Sequence, residues 1–94
     1  MIYELLERMN AVGRENAISR KALVSLTGLS DRRIRKQIEN ERRQSMPILS
    51  STQSRGYYLL DSKVDLKEYL AEQESRMASI RQSYIPMKRL YEEM

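Results

Sequence analysis

Gly28 and Pro47 cut the middle of this chain into segments too short for anything but small elements. Before Gly28, Ser19 is an N-cap for a helix from Arg20 to about Thr27, with Ala22, Leu23 and Leu26 as its inward side. After it, Ser30 caps a second helix from Asp31 to about Arg43, and Asp31 in its first turn suits the positive end of the helix dipole. Pro47 ends the helical region. Ile48-Leu49-Ser50-Ser51 and Tyr57-Tyr58-Leu59-Leu60, joined by a polar loop containing Gly56, then read as a β-hairpin. One face of that hairpin must cover the helices; Tyr57 and Leu59 are expected to do so, with Tyr58 pointing out.

Helical patterns flank this block. Ile2, Leu5, Leu6 and Met9 stand at i, i+3, i+4 and i+7, which predicts a helix over 2–12 with Gly13 as its stop, and residues 14–17 read as a loop. From Asp65 onward, Leu66, Leu70, Gln73, Met77, Ile80, Tyr84, Met87, Tyr91 and Met94 alternate spacings of 4 and 3, a heptad stripe with one polar member. Pro86 predicts a kink or break near residues 82–86. The chain therefore divides into a block at 1–62 and a C-terminal helix at 63–94. A straight helix of that length extends roughly 45 Å, beyond what a small domain can cover. Either its second half folds back on the first helix, or the stripe pairs with a second copy, which is the preferred reading. Met and Tyr in the stripe suit an adaptable contact.

The charge is concentrated. The net +4 arises entirely within residues 20–55, which hold nine bases (Arg20, Lys21, Arg32, Arg33, Arg35, Lys36, Arg42, Arg43 and Arg55) against Asp31, Glu39 and Glu41. Such a patch between near-neutral flanks suits phosphate. Projected at about 100° per residue, the helix from Asp31 turns Ile34 and Ile38 inward. The stripe Arg32, Lys36, Asn40 and Arg43 then faces outward, with Arg33 and Glu39 at its edges. Arg and Lys contact guanine N7 and O6, Asn bridges adenine N6 and N7, and either cation clamps phosphate. A merely solvated helix more typically alternates sign at i, i+4.

Two short helices joined by a Gly-containing turn and followed by a hairpin have the layout of a winged helix-turn-helix, with Val24, Gly28 and Ile34 at the offsets of helix contact, turn and first buried residue. The segments Leu29-Ser30-Asp31-Arg32-Arg33-Ile34-Arg35, Pro47-Ile48-Leu49-Ser50-Ser51 and Gly56-Tyr57-Tyr58-Leu59 resemble the biotin-repressor-like winged helix group. They resemble still more the small winged-helix proteins of phages and prophages of Gram-positive bacteria. The resemblance spans about residues 1–60, and more loosely the long tail helix. It implies a mainly α fold with a small β-hairpin, a winged helix-turn-helix followed by a long C-terminal helix. It also implies sequence-specific binding of double-stranded DNA, in transcriptional regulation or at a replication or recombination site. The helix at 31–43 would enter the major groove, with Arg32, Arg33 and Lys36 on bases or phosphate and Asn40 as a reader; Ser30 and Arg43 bound that face. Arg20 and Lys21 would touch phosphate. The wing at 47–60 would carry Arg55 to the flanking minor groove. Glu41 and Ser45 depart from the group's usual Leu and Gly, which predicts a frayed helix end, or Glu41 bound to a nearby Arg, and a less secure left-handed turn at Ser45.

Dimerisation is assigned to Leu66, Leu70, Met77, Ile80, Tyr84, Met87 and Tyr91. An interaction module that binds a host or replication protein through the same basic helix is the alternative. No cofactor, metal or enzymatic role is expected: the chain has no His and no Cys, its three Gly are isolated, and its acids are dispersed. No apolar run approaches the roughly 18 residues of a membrane span. MIYELLERMN lacks a basic n-region and an apolar h-region, so a cytoplasmic protein without a signal peptide is expected, in the bacterial host if phage-encoded.

Overall fold

The computed structural model describes residues 1–52 and 55–94; the part of the expected wing loop at 53–54 lies outside the described residues. The order is α1 (Ile2–Arg8), a 3-10 turn (Arg14–Asn16), α2 (Arg20–Thr27), α3 (Asp31–Arg43), β1 (Ile48–Ser50), β2 (Tyr57–Leu59) and α4 (Lys63–Glu93). The chain is thus mainly helical, with a small antiparallel hairpin and a long C-terminal helix.

Local chemistry sets the boundaries of the central helices. Ser19 Oγ accepts the Ala22 N–H at 3.0 Å and Ser30 Oγ accepts that of Arg33 at 3.2 Å, so each hydroxyl satisfies an otherwise unpaired helix donor. Gly28 ends α2 in the left-handed region at φ 74° while its N–H still donates to Val24 O. Only Gly28, Leu29 and Ser30 separate the two helices.

The core gathers Ile2, Leu6, Ala11, Leu23, Ile34, Ile38, Ile48 and Leu59, with Val12, Ile18, Val24, Leu29 and Tyr57 packed around them. Each fully buried aliphatic side chain is worth about 1.5–3 kcal/mol. α1, α2, α3, β1 and β2 all contribute to this cluster, and α3 packs against α1, α2 and β1.

The hairpin pairs Ile48 with Leu59, Leu49 with Tyr58 and Ser50 with Tyr57. Ile18 bridges Tyr57, and Val12 bridges Leu59, on its other edge. This edge pairing corrects two expectations. The first helix stops at Arg8 rather than 12, because the Leu59 N–H donates to Ala11 O and the Gly13 N–H to Leu59 O, drawing that segment onto β2. Residues 14–16 form a helical turn rather than a loop. Met9, expected inward, is 39% exposed beyond the shortened helix.

The hairpin is covered on both faces, so Tyr58 is buried at 1% exposure rather than pointing out, alongside buried Leu49. Neither belongs to the main core cluster, and α4 packs on β1. Arg14 pairs with Glu68 of α4, and the neighbouring Tyr58 hydroxyl and Glu68 raise its already high pKa. Leu26 is also misplaced by the sequence reading: it is exposed, because Leu23 and Val24 make the inward side of so short a helix.

Glu41 is neither frayed nor bound to an Arg. Buried at 2% exposure, it accepts the backbone N–H groups of Ile2 (2.9 Å) and Tyr3 (2.8 Å) and the Gln37 amide (2.8 Å). The terminal ammonium lies 3.4 Å away. A carboxylate from α3 thus caps α1. Burial pushes its pKa up, but the N–H groups of Tyr3 and Ile2, the Gln37 amide and the ammonium outweigh this and hold it below the ordinary Glu value. Ser45 does take the left-handed conformation, at φ 67°.

Asp65 anchors the start of α4 by accepting the N–H groups of Asp61 (2.8 Å) and Ser62 (3.2 Å). Pro86 neither breaks the helix nor sends its second half back onto α1: α4 runs unbroken through Pro86, and every residue from 74 to 94 is exposed. The molecule measures 54 × 31 × 24 Å. Among the described residues, no helix is long and apolar enough to cross a membrane.

Candidate nucleic-acid interface

The inward face of α3 fixes what its outward face can present. Ile34 is fully buried and Ile38 is 2% exposed, whereas Arg32, Arg33, Lys36, Asn40 and Arg43 are all exposed. The sequence projection and the structure agree on this division.

Ion pairing separates the cations into two groups. Among the described residues, Arg32, Arg33 and Lys36 on α3 and Lys21 on α2 enter no ion pair. Arg20 and Arg35 both pair with Asp31, and Arg43 pairs with Glu39 one turn back. These pairs are solvent-exposed, and exposed pairs are worth only about 0–1 kcal/mol, so a phosphate can compete for Arg20 or Arg43. Arg32, Arg33, Lys36 and Lys21 need break no ion pair among the described residues to meet a phosphate.

Arg33, Lys36 and Asn40 line a shallow depression together with Met1, Leu29 and Gln37. A second, more open cleft lies between the start of α2 and the hairpin. Ser19, Arg20, Lys21, Ser50, Ser51 and Arg55 contribute to its wall, with Gly56 and Tyr57 at the hairpin end. Gly56 is buried there for a steric reason. A Cβ at this position would come within 2.7 Å of Ile18 O, while the Tyr57 N–H donates to that same oxygen at 2.8 Å. The cleft therefore depends on the hairpin backbone approaching Ile18 closely.

Arg20 lines the cleft and pairs with Asp31 at the start of α3. Its Nε donates to Asp31 Oδ1 at 2.5 Å, and the neighbouring Tyr57 hydroxyl and Asp31 raise its already high pKa. Ser30 is exposed, but its hydroxyl serves as the cap of α3. Arg55 is exposed near the hairpin tip at φ 52°. Of the stripe residues assigned to dimerisation, Leu66 is half-buried, whereas Leu70, Met77, Ile80, Tyr84, Met87 and Tyr91 are exposed.

Two positioning residues escaped sequence reasoning. Arg42, counted only as one more base, donates from Nε to Ile48 O (2.7 Å) and from Nη2 to Ser50 Oγ (3.2 Å). Its guanidinium lies 5.9 Å from the Tyr57 ring centroid and 5.1 Å from that of Tyr69. It joins α3, the hairpin and α4. Gln37 both supports Glu41 and lines the α3 depression. A side-on projection of Arg42, between the inward isoleucines and the outward stripe, was the available signal for its role.

Comparison of the chain with family models, with curated proteins and with solved structures gives no match.

Proposed function

We propose that α2, its short turn and α3 form a helix-turn-helix, that β1 and β2 are its wing, and that the protein binds double-stranded DNA sequence-specifically to regulate transcription or to mark a replication or recombination site. The observation that carries this reading is the outward face of α3, where exposed Arg32, Arg33 and Lys36 enter no ion pair among the described residues and stand beside Asn40, on a helix locked from behind by Ile34 and Ile38.

Chemistry assigns the roles. The first half of α3 enters the major groove, where Arg32, Arg33 and Lys36 meet guanine edges or phosphate and Asn40 reads adenine. Lys21 and Arg20, in the first turn of α2, contact the backbone, and Arg55 on the wing follows the flanking groove. The exposed stripe of α4 pairs two copies, so that two α3 helices address a repeated or palindromic site. Enrichment from a pool of random duplexes tests the reading. A recovered consensus supports it, and a pool that stays random, with only weak salt-sensitive retention, contradicts it.

A further inference from the structure

We infer that two copies of α4 pair antiparallel, in the register that sets Met77 of one chain against Ile80 of the partner subunit. This rests on the proposed dimer and adds its orientation.

The first turns of α4 are half-buried at Asp65, Leu66, Tyr69, Glu72 and Gln73 on the side of the chain's own hairpin. The stripe then runs on through Met77, Ile80, Tyr84, Met87 and Tyr91, at exposures of 57–80% among the described residues. Pro86 lies on the opposite side of the rod from Met77, about 180° away at 100° per residue, so its ring does not obstruct a partner. Within these first turns Leu66 and Gln73 are half-buried but the stripe residue Leu70 is 49% exposed, which leaves room beside the hairpin for a second helix to continue along the stripe.

The residues flanking the stripe select the direction. In a parallel pair, Arg76 meets Arg81 of the partner subunit on both sides, like charge against like. In the antiparallel register, Glu74 meets Arg81 of the partner subunit on both sides of the central Met77 and Ile80 layers. The one polar stripe residue, Gln73, then falls level with Tyr84 of the partner subunit, whose hydroxyl is a suitable partner. Lys67 faces Lys88 of the partner subunit at each end. This repulsion offsets part of the gain, but the parallel pair has only the Arg76–Arg81 repulsion and no opposite-charge contact to offset it.

The experiment uses the full chain, which has no native Cys. Leu70→Cys and Met87→Cys are made singly and oxidised alone and mixed. The antiparallel register predicts a disulfide-linked heterodimer in the mixture and none from either variant alone. Self-crosslinking of each variant would overturn the orientation while leaving the dimer intact. A monomer in every sample would remove the dimer itself, with duplex selection still free to succeed. As a second arm, Glu74→Arg or Arg81→Glu alone should raise the dimer dissociation constant about tenfold, and the double exchange should restore it. Absence of that restoration also overturns the proposal.

Discussion

The backbone N–H of Ile2 donates to Glu41 Oε2 at 2.9 Å, so the start of α1 is held by a carboxylate projecting from the inner face of α3. The same carboxylate takes the Tyr3 N–H and the Gln37 amide, which leaves no buried side-chain polar atom unsatisfied among the described residues. Replacing Glu41 with Leu fits the apolar surroundings but strands two backbone donors. The expected loss is about 1–3 kcal/mol in urea unfolding. Glu41→Leu matching or exceeding the native stability would show that the cap contributes nothing.

The same contact predicts a pH dependence. The folded-state pKa of Glu41 lies below its ordinary value. Its contribution is therefore complete above the unfolded pKa of about 4.3 and disappears as the pH falls through the lower folded value. The stability gap between the native chain and Glu41→Leu should stay constant near neutrality and close under acid. A gap that widens as the pH drops would mean that the sign is reversed.

Arg42 ties α3 to the hairpin through Ile48 O and Ser50 Oγ and lies over the rings of Tyr57 and Tyr69. A lysine keeps the charge but not the planar fork. Arg42→Lys should cost about 1–2 kcal/mol and speed amide exchange in β1 and β2. Unchanged exchange there would remove the clamp.

Ser45 is held at φ 67°, a conformation that strains a residue bearing a Cβ by about 1–2 kcal/mol, while glycine adds about 0.5–1 kcal/mol of unfolded-state entropy. Ser45→Gly should raise stability by about 0.5 kcal/mol. The opposite experiment is Gly56→Ala, whose new methyl meets Ile18 O at 2.7 Å. It should cost about 1–3 kcal/mol and weaken the Ile18–Tyr57 pairing, visible as loss of protection at both amides.

Much of the fold was legible because its signals are local. Ser19, Gly28 and Ser30 act through their own backbone and their neighbours', so the bounds of α2 and α3 could be read directly. The spacing of Ile34 and Ile38 likewise fixed which side of α3 faces solvent. What failed depended on partners distant in sequence. Tyr58 is buried because α4 covers the hairpin face that an isolated hairpin would leave wet, and Arg8 ends α1 because β2 captures residues 11–13. Glu41 projects inward with the isoleucines in the same helical projection. Reading it as a defect overlooked that the unpaired donors of another helix could be its partners. Within the candidate interface, the outward row was legible, but the division into paired Arg20 and Arg43 and unpaired Arg32, Arg33 and Lys36 required side-chain positions.

On the proposed function, the outward face of α3 reads base pairs. The most direct test of this is the affinity of Arg32→Ala for a duplex recovered by selection, titrated at several salt concentrations beside the native chain and Lys21→Ala. Arg32→Ala should lose about 1–3 kcal/mol on the selected duplex and tolerate substitution at one base pair, while Lys21→Ala weakens all duplexes alike and flattens the salt slope by about one. Unchanged affinity and base preference in Arg32→Ala would contradict the account.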